Sequence, residues 1–465
     1  MTVRTGPPLP LDAAPGPQPA DMLREARRMV RDPLGYLGDV VARYGPVVAF
    51  PMPRRPVLLV NSPEGARRVL VDNARGYGKR TVQYDTLSLV TGQGLLVSDP
   101  PVWMAHRRMV QPAFHRDGLT AVGRHTVLAT RRAVARWGDL SDGAVVDVDD
   151  AMMRTSLEVV GSALFSTDLT GDTAGRIVDA VLTALDRVVV RARSPWLPPP
   201  AVPTPGNLRL RRALRTIDDE VAAMIASRPV GSPGDDVLGI LLRARDSGSD
   251  LDDTAVRDEV VTLLVAGHET VASSLTWTLH LLAHHPPVQE RLADEVAALC
   301  DDPGTADLPR LPWTRAVVDE ALRLYPPAWV VTRRALAEDV LHGYTVPAGS
   351  VVLVSPYRVQ RDPAVWPDPE RFDPTRFLGT TPARGTYLPF GAGPRLCIGR
   401  DFALVESALV LAVIARRFAV EPAPGPPPRV DALVTLRPRG GLPLRLRQRV
   451  GWPGRPVGPG PSIGG

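Results

Sequence analysis

Cysteine is nearly absent: 465 residues hold only Cys300 and Cys397. Two thiols cannot make a disulfide framework, a four-cysteine zinc site or a four-cysteine iron–sulfur cluster, and such sparse use fits a reducing cytoplasm. Long apolar runs are also missing. No stretch reaches the ~20 apolar residues of a membrane-spanning helix; the best candidate, 260–267, is cut by His268 and Glu269. The opening MTVRTGPPLPLDAAPGPQPA has no apolar core of the secretory kind, so no membrane anchor is expected. A large excess of one charge is lacking as well, with 55 Lys and Arg against 50 Asp and Glu. The densest basic run, Arg209, Arg211, Arg212 and Arg215, is followed at once by Asp218, Asp219 and Glu220. That reads as a solvated helix face, and no nucleic-acid partner is expected.

What remains is an ordinary globular composition, 44% apolar and 23% charged, which predicts a sizeable core. Residues 1–20 are Pro-rich and 449–465 are rich in Gly and Pro, so both read as flexible ends of one large domain over 21–448. Apolar periodicity predicts helices over 102–115, 119–137, 150–165, 174–192, 207–227, 234–246, 254–285, 287–300, 312–324 and 401–417. Strands are expected over 47–50 and 56–60, with extended chain over 340–355. The fold class is mainly α with small β-sheets, in a single domain. The 254–285 pattern is unusually long, and a helix crossing a large core does not carry a central acid, Glu269, without a reason.

The most informative segment is Phe390-Gly-Ala-Gly-Pro-Arg-Leu-Cys-Ile-Gly399. Glycines at 391, 393 and 399 let a tight backbone present the Cys397 sulfur to a flat ligand. Phe390 can shield that sulfur, and Arg395 can neutralise a carboxylate. Taken alone, Cys397 reads more simply as a buried structural cysteine in a glycine-rich turn. Three other patterns accompany it: Glu320-Ala-Leu-Arg323 at helical spacing, Ala266-Gly267-His268-Glu269-Thr270 midway along the long helix, and Trp103-Met-Ala-His-Arg107.

FGAGPRLCIG matches the haem-binding signature F-x-x-G-x-R-x-C-x-G of the cytochromes P450 at every fixed position, and the other motifs follow in that family's order. The resemblance covers about residues 30–445. It implies a P450 fold with haem b (iron protoporphyrin IX) as cofactor and Cys397 as its metal ligand. Phe390, Gly391, Arg395 and Gly399 form the ligand loop, and Trp103, Arg107 and Arg333 bind the haem propionates, with Arg334 an alternative to Arg333. Glu320 and Arg323 are implied to form a structural triad with Arg376 of Pro374-Thr-Arg-Phe377. Ala266, Gly267, Glu269 and Thr270 are implied to lie over the oxygen-binding face. There Gly267 leaves room for dioxygen, Glu269 relays protons and Thr270 holds reduced oxygen, while His268 is no ligand. Gln360 stands where the family often has His, a departure read as peripheral.

The resemblance further implies a monooxygenase that takes electrons from a separate ferredoxin and ferredoxin reductase. Arg108, Arg116 and Arg400 are candidates for a basic docking face. Leu263, Ala266, Trp329, Val330 and Val331, with part of 81–96, are expected to line an apolar pocket for a small hydrophobic substrate. Thr435 and Leu436 are expected on a late turn entering it. The style is that of actinobacterial terpene oxidation in secondary metabolism, with a sesquiterpene as the leading substrate class; fatty acids, polyketides and steroids stay open. A monomer in the cytoplasm is expected. A hydrogen-peroxide-dependent peroxygenase and a non-enzymatic haem sensor are the rival readings.

Overall fold

The computed structural model describes residues 8–449 apart from 53–54, 195–196, 230–233, 248–250 and 300–301. The helices that position the candidate site are α1 (Val82–Thr91), α2 (Val102–Val110), α3 (Val148–Phe165), α4 (Asp253–His284), α5 (Pro312–Leu324) and α6 (Arg400–Arg417). α4 starts where the Asp252 side chain accepts a hydrogen bond from Ala255 N–H, satisfying one of the orphan donors of a helix start. It is buried on nearly every side, as a helix that is apolar all round must be. α3 packs closely along it, because the Cβ that Gly267 lacks would fall 2.9 Å from Val160 Cγ2. α5 begins on Pro312, whose fixed φ suits a first turn. Its first N–H groups are capped by a carboxylate from the neighbouring 286–297 helix: Glu295 accepts from Trp313 N at 2.7 Å and from Thr314 N at 2.8 Å.

A five-stranded sheet flanks the helices. Its strands are β1 (Val47–Phe50), β2 (Val57–Val60), β3 (Tyr77–Gly78), β4 (Val331–Ala335) and β5 (Val351–Val354), in the spatial order β1-β2-β5-β4-β3. β1 and β2 form a hairpin with Val47 opposite Val60. β2 runs parallel to β5, and β4 antiparallel to β5 with Val331 opposite Val354. A late hairpin, β6 (Val430–Ala432) and β7 (Leu436–Pro438), reaches back to α4.

The mainly helical fold with small sheets agrees with the sequence reading, while residues 8–20, the described part of the segment expected to be flexible, pack against the sheets. Leu9 bridges to Tyr344, Pro15 O accepts from Ala49 N at 2.9 Å, and Ala14 is buried. Proline-rich chain has lost little freedom to begin with, so lying along a sheet edge costs it less entropy. Two helices that were not among those expected, Pro19–Arg31 and Pro33–Tyr44, follow; each opens on a proline, which is favoured at a first helical position. Cys300, the tail from 450 onward and the side chain of Arg116 lie outside the described residues.

Candidate active site

The loop before α6 turns on Gly391 (φ 69°) and Gly393 (φ 67°), conformations that a side chain would strain. Gly393 is constrained twice over: a Cβ there would sit 2.0 Å from Leu70 O. The turn closes through Gly391 N to Leu388 O at 3.0 Å and Cys397 N to Phe390 O at 2.9 Å. Arg107, from α2, donates to Leu396 O at 2.8 Å and so ties the loop to the motif that begins at Trp103. Cys397 is exposed, yet lies deep among surrounding atoms, as a group on a cavity wall does. That crowding pushes its thiol up, while the Gly399 N–H and the Arg107 and Arg400 guanidinium groups favour the thiolate.

Four cations gather beside this loop. Arg395 stacks over the Trp103 ring at 3.9 Å and pairs with Asp99 at 3.0 Å. Arg333 is buried and donates to Tyr84 Oη at 3.2 Å. Its neighbour Arg334 is left more open, as the alternation of β4 requires. The fourth is Lys79, which the sequence reading missed. It is buried over the Tyr84 ring, and burial, then Arg333 and Arg395, drives its ammonium well below the ordinary range. Arg395 is lowered to about 10, mainly by burial, with Arg333 and Arg107 adding to it. Lys79, Arg107, Arg333 and Arg395 around the single carboxylate Asp99 form a partly buried excess of positive charge, which a ligand with carboxylate groups would balance. The residues therefore fit haem: a thiol on a glycine-turned loop with a cationic cluster alongside. No motif marks Lys79; it stands in the sequence Gly78-Lys-Arg with nothing to set it apart.

On α4, Thr270 Oγ1 donates to Ala266 O at 2.7 Å, inside the helix groove. Glu269 is fully buried and accepts from Thr435 Oγ1 at 2.8 Å. Burial pushes its carboxyl up to about 7 against the pull of Arg437 and Thr435, with Asp149 adding to the rise. Arg437, on β7, pairs in turn with Asp149 of α3, and Asp149 also accepts from Thr276 Oγ1 at 3.3 Å. Asp149 and Arg437 were invisible in the sequence because they lie 288 residues apart. At Gly267 the structure adds a packing reason: a Cβ there would meet Val160 of α3. The late turn carrying Thr435 does reach α4, and Leu436 O accepts from Trp277 Nε1 at 2.9 Å. His268 donates through Nδ1 to Leu264 O at 2.8 Å, and burial lowers it to about 4, so the ring is neutral.

A carboxyl raised from 4.5 to about 7 keeps its proton longer in the folded chain than in the unfolded one. Its contribution to stability is therefore largest below the ordinary range and is lost as pH rises through about 7. Glu269→Gln is expected to gain melting temperature relative to the wild type as pH goes from about 5 to about 8. Thermal melts across that range check this, and parallel curves for the two proteins would refute a neutral Glu269.

The structural triad assembles. Glu320 and Arg323 are both fully buried and pair at 2.6 Å, and Arg376 comes within 3.5 Å of Glu320. Arg323 also donates to three main-chain carbonyls of the segment before the cysteine loop: Gln360 O at 3.0 Å, Pro369 O at 2.7 Å and Arg371 O at 3.1 Å. Gln360, expected to be peripheral, is fully buried. Its carboxamide donates to Leu322 O and Arg323 O and accepts from Leu388 N at 2.6 Å. An amide can do both at once, which links α5 to the chain entering the cysteine loop.

The residues expected to line the pocket each pack against the neighbours of their own element. Leu263 belongs to the main helical core, and Val331 packs with the sheet cluster around Val352 and Leu388. Trp329 and Val330 join a third cluster with Leu34, Phe50 and Leu436. The Trp329 indole is anchored on Leu433 O at 2.9 Å, because a buried indole N–H needs an acceptor. Of the docking candidates, Arg108 and Arg400 are both exposed, Arg400 pairing with Asp401 at 2.8 Å. Among the described residues no helix is long and apolar enough to cross a membrane.

Comparison with known proteins gives a consistent picture. The family described as "Cytochrome P450" matches residues 26–443. The "Cyclooctat-9-en-7-ol 5-monooxygenase" of Streptomyces melanosporofaciens is 39% identical, over 89% of this chain and 90% of that protein. The "Pentalenene oxygenase" of Streptomyces avermitilis is 36% identical, over 94% of this chain and 97% of its own. Among solved structures, the crystal structure of CYP175A1 from Thermus thermophilus superposes with a TM-score of 0.77 at 35% identity, over 93% of this chain and all of that one.

Proposed function

The chain belongs to the cytochrome P450 family of monooxygenases, whose cofactor is a haem bound through a cysteine thiolate, and from that premise we propose that it oxidises a terpenoid hydrocarbon. In this reading the cofactor is haem b, held by Cys397 and by the cations Lys79, Arg107, Arg333 and Arg395. A thiolate-bound haem supplies the oxygen chemistry, the electron-rich sulfur favouring cleavage of the O–O bond. The protein's own part is binding, orientation and protons.

The observation that carries the monooxygenase reading is the buried acid Glu269 followed at once by Thr270 on α4. A carboxyl near 7 can both hold and release a proton at physiological pH. Glu269 delivers it, and Thr270 Oγ1, whose own hydrogen goes to Ala266 O, is left with lone pairs to accept a hydrogen bond at the oxygen-binding face. Thr435 holds the Glu269 carboxyl, and the Asp149–Arg437 pair sets the charge around it. A peroxygenase takes its oxygen already reduced, and a sensor delivers no protons; neither needs this arrangement.

The terpenoid assignment is supported by the names of the two Streptomyces relatives. Buried apolar side chains on α1, including Leu87 and Val90, and Leu263 on α4 suit a hydrocarbon ligand. Electrons come from a separate ferredoxin and its reductase, in the cytoplasm, to a monomer. Arg108 is the docking cation this reading keeps.

The test is turnover of a panel of sesquiterpenes, larger terpenoids, fatty acids and steroids, with a surrogate ferredoxin system or with hydrogen peroxide alone. Terpenoid hydroxylation that needs the ferredoxin system is the expected result. Turnover with peroxide alone would establish the peroxygenase reading. Haem binding with no turnover under either condition would favour the sensor, and oxidation of fatty acids or steroids only would overturn the terpenoid assignment.

A further inference from the structure

α4 ends on His284, with His280 one turn earlier and His285 as its cap. Residues four apart on a helix lie one above the other. The rings of His280 and His284 have their centres 4.4 Å apart and their planes inclined by 54°. An ion about 2.0–2.1 Å from one nitrogen of each ring needs those nitrogens roughly 3 Å apart, which rings this close reach by small side-chain rotations. The pair is open to solvent, since His284 is exposed and His280 half-buried. Behind it stands Trp277, edge-on to His280 at 5.6 Å. That indole is fixed in turn by stacking on Tyr325 at 4.3 Å and by its bond to Leu436 O.

The chemistry of the two rings suits a metal. His284 Nδ1 lies 2.9 Å from His280 O. A carbonyl can only accept, so Nδ1 carries the hydrogen and Nε2 keeps its lone pair. A backbone carbonyl on the far nitrogen is also what orients a metal-ligating imidazole and raises its basicity. His280 is lowered to about 4, by burial first and then by His284 and His285. At neutral pH no proton has to leave it before a metal binds. Among the described residues the charges that bear on His280 come from those two histidines, not from lysine or arginine. The position favours a cation as well, because the end of a 32-residue helix gathers outward carbonyls and negative partial charge. His285 is turned away: its Nδ1 donates to Leu281 O at 2.8 Å and its ring packs on Phe372 at 5.0 Å. No group of three or more metal-ligating side chains occurs among the described residues, so the protein supplies two ligands here and water the rest.

We propose that His280 and His284 form a two-histidine clamp for a divalent transition ion, copper(II), nickel(II) or zinc(II), at the end of α4. The clamp shares no residue with the candidate active site and does not rest on the oxidation reading. Imidazole nitrogen suits these three ions, whereas magnesium and calcium take oxygen ligands and are not bound. The helix has already fixed the spacing of the two rings, so little freedom is lost when the ion joins them. Bridging residues 280 and 284 staples the last turn of α4. An ion held by the folded chain alone raises its stability in proportion to occupancy.

The experiment titrates the full-length, haem-loaded protein, free of any affinity tag, with copper(II), zinc(II) and magnesium. Calorimetry gives the stoichiometry, electron spin resonance the copper ligands, and thermal melts with zinc(II) the stabilisation. One copper per chain is expected, with the hyperfine pattern of two imidazole nitrogens. Zinc should raise the melting temperature by a few degrees, and magnesium should leave it unmoved. His284→Ala should weaken copper binding roughly tenfold or more and abolish the zinc shift, while His285→Ala keeps both. His280→Ala should behave as His284→Ala does; if it fails to fold, the exposed His284 decides alone. Copper binding indifferent to His284→Ala, or lost equally in His285→Ala, overturns the clamp. So does a spectrum with fewer than two nitrogens. Binding only at millimolar metal, with no zinc shift, means an adventitious ion only and overturns it too.

Discussion

Cys397→Ala is expected to lose the red-shifted Soret band of the reduced carbon monoxide complex entirely, together with all product formation. The expectation rests on the loop. The turn's closing bonds are made by backbone atoms of Leu388, Phe390, Gly391 and Cys397 itself, and Cys397 Sγ takes only the Gly399 N–H. Removing the sulfur therefore leaves the scaffold standing while the candidate iron ligand disappears. Circular dichroism beside the difference spectrum separates the two effects: an unchanged fold with no thiolate-type band is the predicted pair. A thiolate-type band that survives in the mutant would mean that the iron is held elsewhere in the chain and would return Cys397 to a structural role.

Arg323→Ala is expected to be the most destabilising single change at this site, by about 3–5 kcal/mol, because it leaves the Glu320 carboxylate charged and buried without its main partner. Three carbonyls of the 360–371 segment lose their donor in the same step. Arg323→Lys should rescue little, since an ammonium cannot reproduce a planar fork that serves a carboxylate and three carbonyls together. Arg376→Ala should cost less, as its approach to Glu320 is longer and its side chain less buried. Denaturant midpoints of the three variants check the order. Equal losses at Arg323 and Arg376 would show that the pair's burial is not what sets the cost.

The helices were legible in the sequence because their apolar period is strong: 312–324 is found over the residues expected, and 254–285 is displaced by one residue. The 19–31 helix was not, because it buries no face, nor was 33–44, whose inward residues Leu34, Tyr36, Leu37 and Val40 cover little more than two turns. The motif residues were legible as types at fixed spacings, and Arg107, Arg333 and Arg395 do converge with Trp103 beside the cysteine loop. What stayed hidden were long-range contacts made by residues outside the motifs. Lys79 belongs to no pattern, and Asp149 finds Arg437 only through the packing of α3 and β7 on α4. The anchoring of the Trp329 indole on Leu433 O was likewise out of reach. Gln360 read as a departure from pattern, although its donor and acceptor together hold three backbone groups.

The chain between Gln360 and Cys397 holds only short 3-10 turns, Pro374–Phe377 and Gly393–Arg395. It has no ladder of its own, and its shape is copied from Arg323, Glu320 and Gln360 as a casting is from its mould. Its shape depends on contacts distant in sequence, so whatever loosens α5 loosens the ligand loop with it. Occupancy of the cofactor site therefore reports on the integrity of a buried helix as well as on the loop that holds the sulfur.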